Sequence, residues 1–176
     1  TQFASSAASD VYKRQGKECL DDAWHMQADI EEAMLSGSDL SGAMLDYSKF
    51  FGLFDPEFAW ALAAEAGFPQ DVAEQMTDFA KNVTMYIKVN NGYDAVMTDC
   101  NGVAEGCSLS LIIANLYVTT LFRMLDHRFP GIRLGAIIDD RNDRHPEPRV
   151  IIQAVNATTE FDTAAGHVNN IDKTML

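Results

Sequence analysis

The sequence predicts an α+β fold, in which an antiparallel sheet packs on helices. Three observations predict it. Apolar residues recur at helical spacing in residues 19–35, and the longest uncharged stretch, residues 107–122, is typical of a buried helix. Residues 83–89 alternate apolar and polar side chains and lead through Asn91-Gly92, a strong hairpin turn, into a second strand. Residues 134–140 form an apolar run that ends in two carboxylates, which is typical of a buried strand that reaches a turn.

Composition limits the function classes. At 176 residues, 47% of them hydrophobic, the chain is large enough for one domain with a real core. No run reaches the roughly 18 uninterrupted apolar residues of a membrane span, so we expect neither a transmembrane segment nor a signal peptide. Three cysteines without a CxxC spacing argue against a disulfide framework or a zinc site and favour a reducing, intracellular setting.

The charge balance opposes unaided binding to nucleic acid. The chain has 26 acidic and 13 basic residues, which gives a formal net charge of -13. Such a surface repels a polyanion unless the acids gather around cations or basic partner segments contribute. A function on nucleic acid therefore requires one of these two arrangements.

Residues 1–15 show no apolar periodicity, and residues 8–15 look like translated sequencing-adapter read-through, so we exclude this segment from the fold. An N-terminal helix and turn are expected within residues 16–42, and the main domain within residues 43–176. The helix covers residues 19–35 and is amphipathic. The remaining predicted elements are a short buried strand at 43–45, a helix capped by Asp55 with Pro56 in its first turn, and helices at 71–82, 107–122 and 150–165.

Two adjacent carboxylates, Asp139 and Asp140, are the clearest candidates for a functional site. Neighbouring side chains on a strand point to opposite faces, so these two face the same surroundings only where the chain turns. Like charges this close stay ionised at neutral pH beside water or a cation. Asp46 repeats the pattern, because it follows the apolar residues 43–45. A metal site and a solvated turn both fit these residues.

Four segments, taken in order, resemble the motifs of the palm of a reverse transcriptase. The first has an aspartate at a strand end with an aromatic residue five positions on, and the second resembles GxxQGxxLS continued by NLY. The third resembles the YxDD-type hairpin, and the fourth the pattern AGxxxNxxKT. In this sequence the segments are residues 46–51, 102–117, 137–140 and 161–174.

The resemblance implies a polymerase palm-like antiparallel sheet packed on helices, with the activity of an RNA-directed DNA polymerase. Two Mg²⁺ (or Mn²⁺) ions would assist nucleotidyl transfer, with Asp46 and Asp139 as bridging ligands and Asp140 as an accessory carboxylate. Lys173 matches a lysine placed to neutralise or protonate the leaving pyrophosphate. The implied partners are an RNA template with a DNA primer and deoxynucleoside triphosphates, and the implied source is a retroelement or a domesticated cellular relative.

Four more residues match nucleotide-binding positions of that family. Tyr47 could add its backbone carbonyl to the metal site, and Phe51 occupies the steric-gate position, where an aromatic ring disfavours a 2′-hydroxyl. Gly106 would let nucleotide and template pass close to the backbone. Glu105 stands where the family usually has glutamine, which puts a negative charge beside the triphosphate. The alternatives are that Phe51 is a core aromatic and that Lys173 is an exposed helix-end lysine.

Other departures from the family pattern leave alternative functions open. Gly52 stands where aspartate is common, and Ile137 and Ile138 replace the tyrosine and the small residue of the usual hairpin. By the resemblance, residues 16–42 are a remnant of the fingers side, and residues 43–176 form a palm that stops before the thumb. We therefore expect this chain alone to bind nucleic acid poorly and to polymerise little or nothing. The alternatives are a catalytically degenerate palm kept as a binding or scaffolding module, and an unrelated acidic α/β domain.

Overall fold

The structure is a computed structural model that describes residues 19–90, 92–97, 102–103, 108–137, 140–170 and 172–175. The helices are α1 Cys19–Ser36, α2 Phe50–Leu53, α3 Pro56–Glu65, α4 Gln70–Asn82, α5 Ser108–Arg128 and α6 Pro148–Ala164. The strands are β1 Ser41–Leu45, β2 Met85–Val89, β3 Gly92–Met97, β4 Arg133–Ile137 and β5 Asp140–His145. The chain divides into two compact units, residues 49–116 and the remainder. The expected boundary at residue 15 lies outside the described residues.

A three-stranded antiparallel sheet with the order β1-β5-β4 forms the centre of the first unit, which comprises residues 1–48 and 117–176. In the pairing of β4 with β5, Ile137 is opposite Asp140. The prediction that the chain turns where the apolar strand β4 ends, before Asp140, is therefore confirmed. Ile138 and Asp139, which connect the two strands, lie outside the described residues.

The central strand, β5, is highly polar, and no strand was predicted there from the sequence. Its residues Arg141, Asn142, Asp143 and Arg144 are all buried. Charged residues disfavour strands and rarely lie inside a protein, so neither propensity nor hydrophobic alternation indicates this element. It is stable there because three of its side chains, those of Arg141, Asn142 and Arg144, reach polar partners on the two faces of the sheet.

Helix α1 faces the sheet with its acids, although its apolar spacing predicts the opposite. Asp22 is 8% exposed and accepts a hydrogen bond from Asn142 Nδ2 at 2.7 Å. Asp29 Oδ2 accepts one from Arg144 Nε at the same distance. The helix itself is confirmed, but most of its large apolar residues are exposed. Four of them are more than 70% accessible, namely Leu20, Trp24, Met34 and Leu35.

Helix α6 covers the other face of the sheet. Its Ile151 packs with Ala43 and Leu45 of β1 in an apolar cluster. The apolar helix α5 adds Tyr117, Leu121 and further residues to the buried core, as expected for residues 107–122. Among the described residues, one helix passes the length and composition test for crossing a membrane, and it is this largely apolar one, Leu109–Arg128.

The second unit confirms the local sequence signals. Asp55 caps α3, since its Oδ1 accepts from the backbone N–H of Glu57 at 2.8 Å and of Phe58 at 3.2 Å. Helices α3 and α4 contact each other, and β2 pairs antiparallel with β3 as the hairpin signal predicts. Gly102, with φ of 108°, donates its N–H to the carbonyl of Phe54 in the α2 region at 2.8 Å. A Cβ at Gly102 would lie 2.6 Å from a backbone carbonyl oxygen, which explains the glycine.

Candidate active site

An open pocket of about 330 Å³ in the first unit brings together three predicted site residues, Asp46, Asp140 and Lys173. Antiparallel pairing accounts for the first two. Leu45 of β1 is opposite Arg141 of β5, so the residue after Leu45 and the residue before Arg141 are neighbours at the same end of the sheet. The strand ends thus place two carboxylates at the edge of one pocket.

The segment that follows α6 brings Lys173 to this edge. It runs antiparallel to β1 and its extension, with reciprocal backbone hydrogen bonds between Met44 and Met175 at 2.9 and 3.0 Å. The N–H of Asn170 donates to the carbonyl of Asp46 at 2.9 Å, and its Nδ2 lies 3.4 Å from Asp46 Oδ2. Lys173 Nζ is 2.9 Å from that same Asp46 oxygen. The first and fourth predicted motifs therefore meet at Asp46.

Beneath the pocket lies a buried polar group that we call the Asp162 cluster, formed by Asp162, Tyr47, Tyr117 and Arg141. Asp162 Oδ1 accepts hydrogen bonds from the hydroxyls of Tyr47 at 2.7 Å and Tyr117 at 2.8 Å. Its Oδ2 accepts from Arg141 Nη2 at 3.1 Å, in an ion pair whose two side chains are each 1% exposed. The Arg141 guanidinium also lies 4.0 Å from the centre of the Tyr47 ring, within cation–π range.

Burial fixes the protonation of the aromatic groups around this cluster. It raises the pKa of Tyr47 well above 10 and raises that of Tyr117 as well, so both phenols remain donors to Asp162 at neutral pH. The imidazole ring of His167 packs against both tyrosine rings. It is tilted relative to the Tyr47 ring, with centroids 5.2 Å apart, and edge-on to the Tyr117 ring, with centroids 4.9 Å apart. Burial, opposed by Asp162, lowers the pKa of His167 to about 4, so its imidazole is neutral at pH 7.

Asp143, also on β5, is a second fully buried carboxyl on the α6 side of the sheet. Its Oδ2 has no hydrogen-bond partner among the described residues. Burial raises its pKa to about 6, although the nearby Arg141 and Arg144 oppose the shift. Its charge is therefore energetically costly in the folded protein.

Other predicted site residues are placed as follows. Tyr47 follows Asp46 directly and is 4% exposed, with its side chain in the core. Phe51 lies in α2 of the other unit and packs edge-on to Phe50, with ring centroids 5.2 Å apart. Asp139, Glu105 and Gly106 lie outside the described residues, so their roles stay predictions.

Three residues of the cluster, Asp162, Arg141 and Tyr117, are not among the predicted site residues. A signal for Asp162 was present in α6. The buried residues Ile151, Ala154, Thr158 and Asp162 follow one another at intervals of three or four, which is one face of a helix. An acid on such a face requires a buried partner, and the basic residues of β5 are the ones available.

Together, the antiparallel sheet and its covering helices form an α+β fold. Solved structures that share this fold include telomerases. The chain matches apo telomerase of Candida tropicalis, truncated from its C-terminal domain, with a TM-score of 0.72 and 13% identity, over 97% of this chain and 36% of that one. Telomerase of Candida albicans in complex with a TWJ fragment of telomeric RNA matches with a TM-score of 0.75 and 12% identity, over 98% of this chain and 31% of that one.

The chain spans about a third of the length of these telomerases, and at this identity the likeness establishes the fold alone. No protein-family model and no curated protein matches the sequence.

The described part of the chain contains no group of three histidine, cysteine or acidic side chains that could hold a metal ion. Asp46 and Asp140 supply two carboxylates at the pocket, and the third acid of the predicted set is Asp139. The donors present are hard oxygen ligands of the kind Mg²⁺ prefers, and the ammonium of Lys173 beside Asp46 marks a position that attracts positive charge.

Proposed function

We propose that this chain is the palm of an RNA-directed DNA polymerase, in which Asp46 and Asp139 hold Mg²⁺ or Mn²⁺ for nucleotidyl transfer. One observation carries the proposal: Asp46, Asp140 and Lys173 line one pocket at the end of two antiparallel strands, in a reverse-transcriptase-like fold. The carboxylates come from separate motifs and meet at one pocket, and they are the hard oxygen ligands that a divalent cation prefers.

Each residue has a distinct role in the proposed reaction. Bound Mg²⁺ would supply positive charge that stabilises the attacking and leaving oxygens. Asp46 and Asp139 are its ligands, and Asp140 is a nearby accessory carboxylate. The carbonyl of Tyr47 is a further candidate ligand. The ammonium of Lys173, already within reach of Asp46, is placed to neutralise or protonate the leaving pyrophosphate.

The nucleotide and template sites follow from the motif matches. Phe51 is proposed as the steric gate that selects deoxynucleotides, and Glu105 and Gly106 as residues beside the incoming nucleotide. The proposed partners are an RNA template, a DNA primer and deoxynucleoside triphosphates. Support comes from two matched telomerases that were solved with a fragment of telomeric RNA. Because this chain is strongly acidic, it should bind such a template poorly by itself.

A second candidate function is a degenerate palm retained as a binding or scaffolding module. The acidic Glu105 in place of glutamine, and Gly52 in place of aspartate, favour this alternative. A degenerate palm needs no divalent cation, so metal binding separates the two functions.

The test is a Mn²⁺-binding titration, in which electron paramagnetic resonance measures the concentration of the free ion. We expect the 176-residue chain to bind Mn²⁺, and Asp46→Asn and Asp139→Asn each to weaken binding by about tenfold or more, because each removes a charged ligand. Asp39→Asn is the matched control, since Asp39 is an exposed acid that does not line the pocket. Absence of binding, or equal losses in all three variants, would contradict a polymerase site and favour the degenerate palm.

A primer-extension assay gives a separate check on the isolated chain. With Mg²⁺, an RNA template and a DNA primer, we expect little or no synthesis by these 176 residues. Efficient synthesis would show that the acidic surface does not prevent template binding.

A further inference from the structure

The Asp162 cluster connects the two acid-bearing segments of the pocket. Tyr47 is the residue after Asp46, and Arg141 is the residue after Asp140. Both donate hydrogen bonds to the Asp162 carboxylate. The Tyr47 hydroxyl donates to Oδ1 at 2.7 Å, and Arg141 Nη2 donates to Oδ2 at 3.1 Å. Each segment therefore has its acid at the pocket and its next side chain on Asp162 in the core.

A third segment joins through Asn169. Its Oδ1 accepts a hydrogen bond from Arg141 Nη2 at 3.0 Å, and its backbone forms an antiparallel bridge with Tyr47. The next residue, Asn170, bonds the carbonyl of Asp46. The cluster thus also fixes the segment that delivers Lys173 to the pocket.

Stability alone does not explain a buried ion pair of this kind. Removing two charges from water costs free energy that their attraction only partly repays, and apolar residues of similar volume are often at least as stabilising. The described ion pair has both members almost fully buried and aromatic rings around it. A requirement for fixed geometry gives a reason for it.

We propose that Asp162 is a positioning residue, which holds the segments of Asp46 and Asp140 in register through Tyr47 and Arg141. The inference rests on the proposed function, since it assigns the cluster to the two acids of that site. It concerns side chains that are buried in the core, and it predicts that loosening the cluster disturbs the acids before it unfolds the chain.

The two tyrosines provide a matched pair of variants. Tyr47→Phe and Tyr117→Phe each remove one buried hydroxyl bonded to Asp162 Oδ1, at nearly equal distances. Tyr47 adjoins Asp46, whereas Tyr117 lies in α5 and adjoins no acid of the pocket. The two variants should therefore lose similar stability but differ at the pocket.

The first readout needs no metal. Hydrogen exchange of the Asn170 amide, which bonds the Asp46 carbonyl, is measured by NMR in both variants of the 176-residue chain. We expect exchange about tenfold faster in Tyr47→Phe than in Tyr117→Phe. Equal exchange in the two variants would overturn the positioning role. Asp162→Asn, which keeps the shape and removes the charge, should accelerate this amide at least as much as Tyr47→Phe.

The second readout is the affinity for Mn²⁺. We expect it to fall by about tenfold in Tyr47→Phe, which is the size of loss found for residues that orient metal ligands. In Tyr117→Phe it should stay close to that of the original chain. Equal affinities would overturn the positioning of metal ligands. If the unaltered chain bound no Mn²⁺, the proposed function would fail, and with it the link between the cluster and catalysis. The hydrogen-exchange comparison would still decide whether Asp162 positions the acid-bearing segments.

Discussion

Lys173 Nζ lies 2.9 Å from Asp46 Oδ2, which joins two segments that are far apart in the sequence. The lysine side chain is 67% exposed and the aspartate side chain 14%, so solvent screens the pair and it adds little to stability. At the pocket, the ammonium of Lys173 and a bound cation would compete for the same Asp46 carboxylate.

Lys173→Gln should leave folding unchanged and strengthen Mn²⁺ binding. Because the ammonium competes for Asp46, its removal should tighten binding by up to about fivefold, the equivalent of an exposed ion pair. The free energy of unfolding should change by less than about 0.5 kcal/mol. Lys81→Gln is the control, since Lys81 forms a comparable exposed pair with Glu57 in the other unit. Weaker Mn²⁺ binding in Lys173→Gln would contradict competition.

The orientation of α1 predicts an unusual ranking of two substitutions. Asp22→Leu should destabilise the protein by about 1–3 kcal/mol, because it leaves the buried Asn142 amide without its acceptor. Trp24→Gln should change stability by less than about 0.5 kcal/mol, since Trp24 is 74% exposed. Urea denaturation measures both. The reverse ranking would mean that the apolar side of the helix faces the sheet.

Gly135 allows this close approach of α1 to β4. A Cβ at Gly135 would overlap with Asp22 Oδ1 and lie 2.8 Å from the Asn142 side chain. Gly135→Ala should therefore cost about 2 kcal/mol or more, since it breaks the Asp22–Asn142 contact or displaces α1. Gly52→Ala is the control, because among the described residues its Cβ would meet only Lys49 Cβ, at 3.8 Å. We expect that variant to be neutral or slightly stabilising in the same denaturation experiment.

Asp143→Asn should alter the pH dependence of stability. A carboxyl whose folded pKa is raised to about 6 contributes stability that is present below its unfolded pKa and lost as pH rises through 6. The asparagine variant lacks this loss. The variant's free energy of unfolding, minus that of the original chain, should increase by up to about 3 kcal/mol between pH 3.5 and pH 7. A constant difference across that range would show that Asp143 keeps its ordinary pKa.

Most elements of the fold are determined by interactions between residues close together in the chain, and these can be predicted from the sequence. The cap at Asp55, the apolar residues 43–45 and the hairpin signal at Asn91-Gly92 act over a few residues, so α3, β1 and the β2–β3 pair were predictable. The motif order likewise indicated that Asp46, Asp140 and Lys173 belong together, and all three line one pocket.

Only the tertiary structure decided the placement of the charged strand β5 and the direction in which α1 faces. A run of charged residues has no reason to be buried until distant partners compensate its desolvation. Asn142 and Arg144 find theirs in Asp22 and Asp29, and Arg141 finds its partner in Asp162. Local propensity does not register such pairs, because their members lie on different elements and become neighbours only when the sheet and its two covering helices have packed.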